Sequence, residues 1–150
     1  MGTKYKGTQK EIRALNAFIN FMRAADSVGS RLSRLLAKHG LTTSQFGALE
    51  ALYHLGPLSQ NDLGSKLLKT SGNITMVVDN LEKRALVKRV RSPEDRRSVS
   101  VTLTKDGGSL IESIFPQHVG SIVAEFEVLN PGEQEVLRHL CRKLGRQERD

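Results

Sequence analysis

The chain has 150 residues, 38% of them hydrophobic, with a single cysteine and a formal net charge of +7. That length suits one domain able to bury roughly two-thirds of its unfolded surface. One cysteine excludes an internal disulfide and fits a reducing compartment, and no apolar run approaches the ~20 residues of a membrane span.

The charge is unevenly spread. Residues 1–58 carry eight cations against three anions, residues 59–103 nine against five, and residues 104–150 six against eight. A polyanion is therefore drawn to the first two-thirds, with a strong salt dependence from counterion release. Met1 to Lys10 is basic and polar, without the apolar run of a signal peptide, so retention in the cytoplasm is expected.

In chain order, Met1 to Thr8 reads as an arm. Ile12, Leu15, Phe18, Ile19, Met22, Ala25, Leu32, Leu35 and Leu36 then recur at helical spacing over about residues 9–38. So long an apolar stripe is most simply covered by a partner subunit. Gly40 suits a left-handed helix end. A second helix begins near Leu41-Thr42-Thr43, buries Phe46, Leu49, Leu52 and Tyr53, and stops at Gly56-Pro57.

The stretch Leu58 to Leu103 organises the rest. Ser59 can cap a helix with Asp62 in its first turn, and Ser71 can cap a second whose apolar face is Ile74, Val77, Val78 and Leu81. The opposite face carries Asn73, Thr75, Met76, Asp79, Asn80, Lys83 and Arg84, a mixture of hydrogen-bonding groups and cations that suits a nucleic-acid groove. Leu86 to Arg91 and Ser98 to Leu103 alternate like strands, and Ser92 to Arg97 supplies the turn between them. Two helices and a basic-tipped two-stranded hairpin make a winged helix-turn-helix. Between Lys83 and Arg97, Lys83, Arg84, Lys88, Arg89, Arg91, Arg96 and Arg97 stand against only Glu94 and Asp95, which favours DNA binding over a merely solvated surface.

Thr104 is placed to cap a further helix with Asp106 in its first turn, and Pro116 is expected to kink or break it. Asn130-Pro131 opens a last helix with Glu133 close behind and the stripe Val136, Leu137, Leu140, Cys141, Leu144. The expected fold is mainly α with a small β-hairpin wing (α+β). Residues 39–103 form the winged helix-turn-helix lobe, and residues 9–38 with 104–150 form a helical dimerisation region.

Over nearly its full length the chain resembles the MarR family of bacterial transcriptional regulators. The resemblance is carried by Leu41-Thr42-Thr43-Ser44-Gln45-Phe46, by Leu58-Ser59-Gln60-Asn61-Asp62-Leu63, by Thr75 to Val87, by Asp95-Arg96-Arg97 in the wing, and by Leu103-Thr104-Lys105-Asp106-Gly107 at its end. It implies a homodimer on a pseudo-palindromic double-stranded operator, acting as a ligand-responsive repressor with recognition helices in major grooves and wings in minor grooves. On that pattern Arg97 enters the minor groove and Asp95 orients it by a charge-assisted hydrogen bond. Asn73, Thr75 and Met76 read bases. Ser71, Asn80, Lys83, Arg84, Lys88, Arg89, Arg91 and Arg96 complete the DNA-binding set.

Two positions depart from the family pattern. Met76 stands where a basic residue is common, which suits contact with a thymine methyl. Ala85 stands where glycine is usual, and a left-handed alanine costs about 1 kcal/mol more than glycine, so the backbone there is expected to differ.

The resemblance also implies a cleft for a small aromatic or phenolic effector, with Arg13, Phe18, Met22, His39, Phe46 and Tyr53 as candidate lining; the same residues read equally well as core or dimer contacts. No catalytic motif is found, no cofactor or metal is expected, and His39, His54, His118 and His139 are dispersed without ligand spacing. Cys141 lies on an apolar stripe, where packing is favoured over redox sensing. A redox-responsive regulator using Cys141 and a winged helix serving as a protein-interaction module are the alternatives.

Overall fold

Helix ends are written into this chain as short polar signals, and the computed structural model, which describes residues 2–67, 71–95 and 97–149 and only the main chain at residues 71 and 72, makes use of most of them. Helix α1 (Gln9–Ala37) starts at a capping box in which Thr8 accepts from the Glu11 amide while the Glu11 carboxylate accepts from the Thr8 amide. It ends where Gly40 turns left-handed at φ 69°, with the Gly40 and Leu41 amides donating to the Ala37 and Leu36 carbonyls. Leu36 and Leu41 are both buried, giving the turn its apolar contact. Leu36 is also the only buried residue of α1.

Helix α2 (Thr43–Leu55) opens on a second capping box, Thr42 with Gln45, and buries Phe46, Ala48, Leu49 and Leu52. Gly56 closes it at φ 78°. Strand β1 (Leu58–Ser59) leads into α3 (Gln60–Lys66), whose first turn is held by the Ser59 hydroxyl accepting from the Asp62 amide. Helix α4 (Ser71–Lys83) follows, and the expected cap by the Ser71 side chain lies outside the described residues.

Strands β2 (Val87–Arg91) and β3 (Val99–Leu103) form the expected antiparallel ribbon, Val87 opposite Leu103 and Arg89 opposite Val101. Among the described residues the sheet has three strands rather than two. β1 pairs with the free edge of β3, Leu58 opposite Val101, in the order β1-β3-β2. An unpaired edge leaves main-chain donors and acceptors open, and two residues ahead of α3 satisfy them.

Ala85 is left-handed after all, at φ 57°. The Ala85 amide donates to Glu82 O and the Leu86 amide to Leu81 O, which is the paired closure of a Schellman helix end. The Thr104 hydroxyl donates to the Ala85 carbonyl at 2.6 Å, and the Thr104 amide donates to Leu86 O. Strand entry thus holds alanine in a conformation that its side chain disfavours.

Helix α5 (Lys105–Phe126) begins with the Thr104 hydroxyl accepting from the Gly107 amide. Gly107 is required by contact: a Cβ there would lie 2.0 Å from the Leu86 carbonyl oxygen. Pro116 lies inside α5, which continues past it instead of breaking. The turn before the proline is anchored by buried Ile111 and Ile114, each contributing about 1.5–3 kcal/mol of burial against a proline cost of ~3 kcal/mol. Asn130 and Glu133 form the capping box of α6 (Pro131–Arg146), with Pro131 in its first turn.

The chain divides into two compact units, residues 1–118 and 119–150. The core lies in the first, where Leu49, Leu63, Ile74, Val78, Leu81, Val101 and Ile111 from α2, α3, α4, β3 and α5 are fully enclosed. Apolar side chains of α1, among them Phe18, Phe21 and Met22, remain exposed. In the second unit α6 buries none of its residues, and Val136, Leu140 and Leu144 are open. Cys141, on the same helix, is exposed in the single chain.

Candidate nucleic-acid interface

Helix α4 turns Ile74, Val78 and Leu81 inward, and at ~100° per residue this fixes what faces out. Met76 and Lys83, seven residues apart, lie nearly in line opposite the buried stripe. Met76 is 63% exposed. Asn73 and Asn80 form one exposed flank of that line, and Thr75, Asp79 and Glu82 form the other. The outward surface of α4 is therefore a central methionine and lysine between an amide flank and an acidic flank.

The acidic flank is occupied from within. The Arg89 guanidinium reaches from β2 to donate to Asp79 Oδ1 at 2.6 Å and to Glu82 Oε1 at 2.9 Å, while the Arg89 amide donates to Glu82 Oε2 at 3.0 Å. Its Nε and Nη2 also donate to Gln60 Oε1 on α3, at 3.4 and 3.3 Å. Gln60 Nε2 in turn donates to Thr75 Oγ1 at 2.7 Å. Strand alternation explains the placement: Arg89 shares a face with buried Val87 and stands opposite buried Val101, so it points toward the helices.

Two of the expected phosphate contacts have partners within the chain. Arg89 is committed to the two carboxylates and Gln60. Arg84 Nη1 donates to the Gly40 carbonyl at 2.7 Å, setting a cation at the C-terminal end of α1, where the helix dipole favours it. Lys88 and Arg91 are exposed, but on opposite faces of β2, since Lys88 alternates with Arg89 and Arg91 does not.

At the wing tip the Asp95 carboxylate accepts from the main-chain amide of Arg97 at 2.9 Å, and the Ser98 amide donates to Asp95 O. Asp95 thus orders the turn that carries Arg97 by a charge-assisted hydrogen bond to its main-chain amide. Arg97 is exposed. Arg96 and the Ser71 side chain lie outside the described residues.

The six candidate effector residues are not brought together. Arg13 lies in the first part of α1 and His39 just beyond its end, with about 36 Å of helix between Arg13 and Ala37 at 1.5 Å per residue. Phe46 is a core side chain at 2% exposure, its ring 4.3 Å from that of His118. The Tyr53 hydroxyl donates to Glu112 Oε1 at 3.3 Å; the Glu112 charge, then burial, then that hydrogen bond raise its pKa above the ordinary tyrosine value. His118 titrates below the ordinary histidine value because burial disfavours its cation, partly offset by Glu50. A shallow groove of about 560 Å³ along α1 is lined instead by Ala25, Asp26, Gly29, Ser30, Ser33, Arg34 and Thr43.

Gln60 and Glu82 escaped the sequence reading as parts of the interface, and Asp79 was read only as one of the outward residues of α4. The available signal was the alternation that aims Arg89 inward with Val87, because an inward arginine beside a helix needs carboxylate partners.

Known proteins are similar to this chain in sequence and fold. The sequence profile described as the MarR family matches residues 39–98. The chain is 39% identical to YkoM, an HTH-type transcriptional regulator of Bacillus subtilis, over 89% of its own length and 86% of that protein. It is 37% identical to the HTH-type transcriptional regulator MhqR of the same organism, over 89% of this chain and 92% of MhqR. Among solved structures, Bordetella bronchiseptica BpsR, whose DNA binding is regulated by 6-hydroxynicotinic acid, matches with a TM-score of 0.79 and 29% identity over 86% of this chain and 98% of BpsR. A recognition-type helix, a closed hairpin wing and these likenesses lead to one conclusion: the chain belongs to the MarR family of HTH-type transcriptional regulators.

Proposed function

We propose that the protein regulates transcription as a homodimer on double-stranded DNA, each α4 in a major groove and each β2–β3 wing at a flanking minor groove. The observation that carries this is the outward line of α4, in which Asn73, Met76, Asn80 and Lys83 face solvent while the neighbouring carboxylates are occupied by Arg89. Asn side chains pair with adenine edges, and a methionine packs on a thymine methyl. Lys83, Lys88 and Arg91 supply phosphate contacts, and Arg97 enters the minor groove, where narrow A/T-rich segments concentrate negative potential. A second copy covers the open apolar faces of α1 and α6 and sets the two reading helices about 34–36 Å apart, one turn of DNA.

Acting on DNA, the protein works in the cytoplasm, as a binding protein rather than a catalyst; no described helix is long and apolar enough to cross a membrane. The likeness to BpsR supports a small aromatic acid as effector, read as release of bound DNA on its addition. The deciding experiment selects a duplex from a random library with the wild-type protein, then titrates it by fluorescence anisotropy against salt and against Arg97→Ala. Affinity should fall by about 0.9 log unit per neutralised phosphate for each decade of salt. Arg97→Ala should cost at least about tenfold, with the sedimentation coefficient of the dimer unchanged. Unchanged affinity would remove the wing from the interface.

A further inference from the structure

Arg89 donates through its side chain to three side chains of its own chain, Asp79, Glu82 and Gln60. Its side chain is 24% exposed and lies between Asp79 and Glu82, which are themselves 49% and 42% exposed on the reading helix. Two bare carboxylates on that flank would meet the phosphates of a groove-bound duplex as like charges. The guanidinium covers both at once, because its planar fork presents donors in several directions. The same group holds Gln60 of α3, and Gln60 holds Thr75 of α4, so one side chain ties both helices of the reading head to the first strand of the wing.

Resting on the DNA-binding reading above, we infer that Arg89 is a positioning residue for DNA recognition: it holds and neutralises Asp79 and Glu82 on the reading helix, without touching DNA. Its worth to binding then depends on those two acids. Removing the arginine harms binding by exposing them, and removing them makes the arginine dispensable.

The test is a mutant cycle on the full chain, using the fluorescein-labelled duplex selected by the wild type. Arg89→Met should weaken binding at least about tenfold at low salt. Asp79→Asn with Glu82→Gln should bind severalfold tighter than wild type, because the amides still accept from Arg89 and the negative charge is gone. In that neutralised background Arg89→Met should cost no more than about threefold. Far-ultraviolet circular dichroism and sedimentation establish that each variant keeps its helices and its dimer. Equal losses from Arg89→Met in the two backgrounds would make Arg89 a direct DNA contact or a purely structural residue, and would overturn the inference. So would weakened binding by the Asp79/Glu82 variant alone, a result that does not depend on Arg89→Met folding. A folded wild type that selects no duplex would instead overturn the DNA-binding reading itself.

Discussion

Replacing Ala85 with glycine should make the protein more stable, although it removes a methyl group and adds freedom to the unfolded chain. Ala85 sits at φ 57°, where an L-side chain crowds the following carbonyl, a cost of roughly 1–2 kcal/mol that glycine escapes. The side chain is exposed, so almost no burial is lost. Glycine's greater unfolded-state entropy takes back about 0.4–1 kcal/mol. The net expectation is a gain of about 0.5–1 kcal/mol, or roughly 1–4 °C in Tm for a chain of this size. Urea titrations at one fixed protomer concentration provide the assay, since dimerisation makes apparent stability concentration-dependent; the midpoint should rise with an unchanged slope. Ala85→Val should move the other way, because a β-branched residue tolerates positive φ worse than alanine. A loss of about 1 kcal/mol on introducing glycine, the ordinary helix-interior penalty, would refute the left-handed closure of α4 and with it the account of how the chain turns from the reading helix into the wing.

Gly107→Ala should destabilise by at least about 1–3 kcal/mol, because the obstacle 2.0 Å from its Cβ is the Leu86 main chain, which cannot rotate away. Gly108→Ala, one residue on with nothing within 4 Å, should be neutral or stabilising in the same urea assay; equal effects at the two positions would refute the close approach. His118 should give a pH signature. With a folded pKa held below the unfolded value by burial, it costs nothing above about pH 6.5 and loses stability as pH falls below that value, because the unfolded chain then binds the proton more readily. The drop in urea midpoint between pH 7.5 and 5.5 should therefore be smaller in His118→Gln, and an NMR titration placing His118 above the ordinary histidine value would contradict the assignment.

What the sequence determined by itself was whatever depends on neighbours three or four residues away. Ser59 with Asp62 and Asn130 with Glu133 each close a helix start within one turn, and Gly40 ends a helix by its own backbone freedom, so these were legible before any fold was known. The period of Ile74, Val78 and Leu81 was equally local, and it was enough to say which face of α4 looks outward. The tertiary structure decided the rest, because the deciding contacts join residues far apart along the chain. Arg84 meets Gly40 across 44 residues and Arg89 meets Gln60 across 29, so charge counting alone treated both arginines as open to phosphate. The same distance hid the pairing of Leu58 with Val101, the enclosure of Phe46 against His118, and the strand entry around Thr104 that holds Ala85 left-handed. A run of cations in a sequence shows how much charge is present, but only packing shows how much of it is already paired.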